Sequence, residues 1–392
     1  MLVAALGLGG TVLGGSLPAA GSGQRERAPL SESEVRDQDI AFYEARAVRD
    51  PEGALDRMQL ASLYLQRARE RGGEPDLVRA EAAARGSLAR RHAHNSSALS
   101  VLANVLLAQH RFVEARDAAR ELAEREPEVP AAQALLGEVL LELGEYPAAR
   151  AIFGKLRSRS NDLVVASRLA RWDELEGRVE AADRLLRDAR ERALALHGLP
   201  REQRAWFHFR VGDLALRYGR LDQAEAAFRA GLAESADDHR MLAASARLAA
   251  ARGDWQGVIV LGNRALTSAF DPATLGLLAD AYRGLGDTAA AREHERVMDL
   301  ALTGQTGPFH RAWSLHLLDH GQHVPEILAR AEAELRMRRD VYGWDVYAWA
   351  LHQAGRPRDA AAAMDSALAL GTRDPLLRRH ADAIARAAGA IP

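Results

Sequence analysis

The sequence predicts an all-α solenoid of stacked antiparallel helix hairpins, and three observations carry that prediction. After residue 30 the chain is dominated by alanine, leucine, arginine and glutamate, all strong helix formers, while aromatics make up only 5%. No run alternates β-branched residues with polar ones as a half-buried strand would. A small-residue, turn, small-residue pattern recurs at a spacing of about 34 residues, which is the signature of a repeat architecture. A chain of 392 residues exceeds the size at which one core stops growing, and a repeat array escapes that ceiling because each unit packs only on its neighbours.

The repeat is clearest at Gly137, Gly144-Glu145-Tyr146, Ala149 and Phe153. A small residue on one helix is followed by a Gly-polar-aromatic turn, then by alanine and a large apolar residue on the next helix. Upstream the same places hold Ala103, His110-Arg111-Phe112, Ala115 and Ala119. Downstream the turn recurs as Gly177-Arg178-Val179, Gly219-Arg220-Leu221, Gly253-Asp254-Trp255, Gly286-Asp287-Thr288, Gly321-Gln322-His323 and Gly355-Arg356-Pro357. Ala182, Ala224, Val258, Ala291, Glu326 and Ala360 follow at the matching spacing. Glycine supplies the left-handed residue that ends a helix, and the small residues let two helices approach. One such hairpin cannot bury its own apolar face, so neighbours must stack.

The Leu136-Gly137 pair, the Gly-acid-aromatic turn and the Ala224 to Phe228 spacing resemble the tetratricopeptide repeat. The resemblance runs through about eight repeats over residues 96–372. The family's first-helix tryptophan is clear only at Trp344, its closing proline only at Pro127, and Glu326 replaces the expected alanine, which leaves the register of that second helix open. The resemblance implies a right-handed superhelical solenoid of about eight to nine repeats with capping helices, and a protein-binding scaffold of the bacterial exported type. Residues 24–95 read as a leading helix opened by Ser31 and Glu34, carrying Ile40, Phe42 and Tyr43, then a degenerate hairpin over 55–69 and 76–91. The interval between Gly177 and Gly219 is about eight residues longer than the others, which predicts a longer, protruding helix over 180–196. Residues 373–392 read as a capping helix with Arg378, Arg379 and Asp382 outward.

A net charge of −2 and a pI near 6.7 give no field to hold nucleic acid or an anionic membrane. With no cysteine, disulfides, thiolate metal sites and thiol nucleophiles are excluded. There is no phosphate-cradling loop and no nucleophile elbow, so the sequence predicts no enzyme, no catalytic residue and no cofactor. Residues 1–23 have the uncharged, small-residue order of an export signal, which points to the periplasm; a membrane anchor or a cytosolic adaptor are the alternatives. Asn95-Ser96-Ser97 reads as a helix cap rather than a glycosylation site.

His310, His316, His320 and His323 cluster in one repeat, and His316 and His320 share a helix face, where imidazole pairs hold zinc or copper. Leu317 stands where a zincin has glutamate, Asp319 points elsewhere, and repeat register gives His310 a packing place and His323 the turn place. The reading is therefore packing and surface histidines, with a metal site or enzymatic role at His316, His320 and His323 as the alternative.

In the tetratricopeptide family the groove is lined by fixed positions of each first helix. Carried onto this chain they are Arg171, Asp213, Arg217, Arg240, Arg247, Asp280, Arg283 and Arg311, with Trp206, Phe209 and Trp349 for apolar contact. Asn104, Leu107, Glu138 and Glu142 hold those places in earlier repeats, and Tyr342, Asp345 and His352 in the last. Six arginines against two aspartates predict a protein or peptide partner carrying acidic groups or a free C-terminus. The alternative is that the arginines pair with Asp213, Asp280 and nearby glutamates.

Overall fold

The computed structural model describes residues 30–304 and 311–389. Among them are twenty α-helices, one 3-10 turn at Arg157–Arg159 and no strand. The chain divides into two compact units, between Arg125 and Glu126. No described helix is long and apolar enough to cross a membrane; the segment read as an export signal, residues 1–23, lies outside the described residues.

The first unit holds α1 (Glu32–Arg49), α2 (Ala54–Arg71), α3 (Glu74–Arg90), α4 (Ser96–Ala108) and α5 (Phe112–Arg125). α1 starts with the expected capping box: Glu34 N donates to Ser31 Oγ at 3.2 Å, and Ser31 N to Glu34 Oε2 at 2.8 Å. Ile40, Leu60, Tyr64, Leu65, Ala80 and Val105 form the core of these helices. Asn95 stands at the cap position of α4, but its side chain does not cap; its Nδ2 donates to Ser87 Oγ at 3.0 Å and Arg91 O at 2.8 Å, tying the turn back to α3. His110 takes the glycine's place at φ 59°.

The second unit contains α6 (Pro130–Leu143), α7 (Tyr146–Leu156), α8 (Leu163–Leu175), α9 (Val179–Ala195), α10 (Arg201–Arg217), α11 (Leu221–Glu234) and α12 (His239–Ala251). It continues with α13 (Trp255–Ser268), α14 (Pro272–Gly284), α15 (Thr288–Gly304), α16 (Arg311–Asp319), α17 (Val324–Glu334), α18 (Val341–Gln353), α19 (Pro357–Leu368) and the capping α20 (Pro375–Gly389). Seven hairpins here and two in the first unit give the solenoid expected. Phe153 of α7 packs so closely on Gly137 of α6 that a β-carbon there would sit 2.8 Å from its ring, which is why the pattern pairs a small residue with a large one.

Two local expectations change. The extra residues after Gly177 do not lengthen one helix alone: α9 and α10 are both 17 residues, against 13 in α8 and 14 in α11. The two pack antiparallel, so lengthening them together buries each against the other. At the irregular repeat Ile327, one residue past Glu326, fills the core place, because His323 adopts the left-handed conformation and α17 begins at Val324.

First helices of successive hairpins pack on one another from α10 through α18, whereas the second helices fan apart. The first helices therefore form the inner wall. That wall curls until the unit closes on itself. One apolar cluster joins Leu140, Phe153, Leu169 and Trp172 near its start to Val341, Leu351, Met364 and Leu377 near its end. Arg339 N donates to Leu143 O at 3.0 Å, and Val341 N to Tyr146 Oη at 2.7 Å.

Candidate functional site

Closure determines the chemistry of the inner wall, because it removes water from charged first-helix positions. Arg168, Arg171 and Glu174 lie three residues apart on α8 and so share one stripe. Arg168 Nε meets Glu138 Oε2 of α6 at 2.6 Å, with both side chains buried; burial pushes the Glu138 carboxyl up even so. Arg171 Nη1 donates to Tyr342 Oη at 3.1 Å, and Glu142 lies 3.6 Å away. The guanidiniums of Arg171 and Arg311 both lie over the Tyr342 ring, at 5.0 and 4.5 Å from its centroid.

On α10, Arg217 pairs with Glu174 and reaches Asp213 Oδ2 at 3.1 Å, while Arg247 of α12 reaches Asp213 Oδ1 at 3.2 Å. Burial alone would raise Asp213; Arg217, Arg247 and Arg210 outweigh it and hold the carboxyl at about 2. Asp345 of α18 accepts from Arg311 Nη2 at 2.7 Å and lies 2.7 Å from His380 Nδ1, whose ring stacks on Trp349 at 4.2 Å.

Most of the predicted groove residues are therefore engaged within the protein. Arg171, Asp213, Arg217 and Arg311 belong to the buried network. Trp206 is core, 1% exposed, against Phe207, and Phe209 packs beside Ala205, Phe228 and Met241. Arg240 turns back to Asp238 and Glu202, each at 2.6 Å. Arg247 and Arg283 keep the largest exposure, at 45% and 40% of their side chains. Trp349 Nε1 donates to Asp319 Oδ1 at 2.8 Å.

Arg210 was not among the expected residues. It is 3% exposed, lies 5.5 Å over the Trp206 ring, and its Nη1 has no hydrogen-bond partner among the described residues. Burial and the neighbouring Arg171 pull its pKa below the ordinary arginine value. Its spacing to Asp213 and Arg217, three and seven residues, placed it on the same stripe and could have revealed it.

The histidines separate. His316 and His320 on α16 meet Asp280 of α14, one ligating atom from each lying within 4.8 Å of the others. His323 is not a packed plug: it faces Asp299 at 3.2 Å and Glu326 at 3.3 Å. His310 lies outside the described residues.

Residues 106–171 match the family described as tetratricopeptide repeat, and the same hairpin geometry continues through α19. That matched segment is a tetratricopeptide-repeat region. Among solved structures this repeat protein is similar to PilF of Pseudomonas aeruginosa, with TM-score 0.42 and 18% identity over 54% of this chain and 93% of that one. It is also similar to PilW, titled a widely conserved type IV pilus biogenesis factor, with TM-score 0.43 and 17% identity over 54% and 96%. A tetratricopeptide repeat protein from Parabacteroides merdae matches with TM-score 0.29 and 13% identity over 83% and 99%. No curated protein matches the sequence.

Proposed function

We propose that this protein is a non-catalytic scaffold that holds a partner protein by an acidic group, along the part of the inner wall that closure leaves open. Arg247 and Arg283 carry the reading: they remain 45% and 40% exposed while Arg171 is consumed by Tyr342 and Arg217 by Glu174. They stand near the C-terminal ends of α12 and α14, where they offer a partner's carboxylates two charged donors. The partner would be a peptide segment rich in acidic residues or ending in a free carboxylate. The order of residues 1–23 supports a place outside the cytoplasm.

The test is photo-crosslinking in producing cells, with a photoreactive residue at position 247, 283 or, as control, 191 on the exposed side of α9. The reading expects one shared adduct at 247 and 283, none at 191, and weaker capture as salt rises. Adducts at 191 alone would move the binding surface to the outer helices.

A further inference from the structure

The cluster of Asp280, His316 and His320 has features that the arginine network does not explain. His316 packs so tightly on α14 that a β-carbon at Gly276 would come within 2.9 Å of three of its ring atoms. Only glycine there lets the imidazole reach Asp280, whose Oδ2 is 3.5 Å from His316 Nδ1. One turn further on, His320 Nδ1 lies 2.8 Å from the His316 carbonyl and donates to it. In the neutral ring that bond places the His320 proton on Nδ1 and leaves Nε2 with a lone pair. In that tautomer the lone pair faces Asp280 Oδ1 at 3.0 Å, so two acceptors confront each other unless a proton or another cation stands between them.

The cation now present is Arg283, whose Nη1 lies 2.7 Å from Asp280 Oδ1 and 3.2 Å from His320 Nε2. Arg283 also pairs with Glu295 of α15, a second carboxylate on which it can rest alone. Asp319, the other acid near this face, is engaged by Trp349. Two imidazoles and a carboxylate, with one imidazole oriented by a backbone carbonyl, are the donors and the supporting bond that a zinc-class ion takes.

We propose that Asp280, His316 and His320 bind one divalent transition-metal ion of the zinc class, which displaces Arg283 onto Glu295 and clips α14 to α16. The site needs no cysteine, leaves a coordination position open to water, and joins the first helices of two successive repeats. It stands apart from the acidic-partner reading, since it is measured on the purified chain alone.

The experiment is titration of the chelator-treated, full-length protein with cobalt(II) as probe, followed by visible absorption, with zinc then added and melting recorded. One cobalt per chain, absorption bands of low coordination number, displacement by zinc and a raised Tm are expected. His316→Ala and His320→Ala should abolish the bands, His323→Ala should leave them, and Arg283→Met should tighten binding several-fold by removing the competing cation. The tightening in Arg283→Met does not depend on removing a ligand, so it survives any folding defect of the histidine variants. Absent bands in the wild type at excess cobalt, or bands retained when both His316 and His320 are alanine, would overturn the proposal.

Discussion

Asp213 shows how the inner wall is held at the scale of single residues. Its pKa falls from the ordinary 3.8 to about 2 in the folded protein, so the native state favours the carboxylate. The associated stabilisation is present above about pH 4 and is lost as pH falls towards about 2. The shift corresponds to roughly 2 kcal/mol. Asp213→Asn should therefore lower unfolding free energy by at least about 2 kcal/mol near pH 6. The gap from wild type, read from urea midpoints, should narrow as the solution is acidified; a gap unchanged down to about pH 2 would show that the arginines do not hold the charge. The family's groove positions, carried onto this chain by repeat phase, named Arg171, Asp213 and Arg217 as inward-facing. Their partners were not, because Tyr342 reaches Arg171 from α18, 171 positions away along the chain, and no local pattern records so distant a contact.

At the scale of elements, turn phase located the hairpins, since each turn needs a residue at positive φ and glycine or histidine supplies it. Boundaries were less legible where two helices adjust together, as α9 and α10 do, because the length of one is set by the surface its neighbour offers. Two turn glycines separate conformational strain from tertiary contact. Gly144 and Gly219 have φ of 76° and 74°, yet a β-carbon at Gly144 would come within 2.7 Å of Asp340 N in the closing segment, while at Gly219 it meets nothing within 4 Å. Alanine at either position costs about 1–2 kcal/mol in the left-handed conformation. Gly144→Ala should cost about 1 kcal/mol or more beyond Gly219→Ala, measured by denaturant unfolding of the full chain. Equal costs would mean that Gly144 bears on nothing outside its own turn.

At the largest scale, the closure of the second unit is what the sequence concealed. Each hairpin rotates slightly on the last, and curvature is the sum of those small rotations; no residue type marks the point where the sum returns the chain to its start. The seal is made by apolar side chains of the kind every repeat carries, and by a backbone bond from Arg339 N to Leu143 O that any sequence could form. Closure converts an expected open groove into a buried arginine network and leaves Arg247 and Arg283 at its exposed margin. The chain has no native cysteine, so a pair introduced at positions 180 and 373, where Glu180 and Arg373 lie 3.8 Å apart, can be spin-labelled without background. Electron spin distance measurement on that variant should give one short, narrow separation. An open array would place α8 and α20, six first-helix steps apart at about 8–10 Å each, roughly 50 Å or more from one another, and a broad distribution at that range would contradict the closed unit.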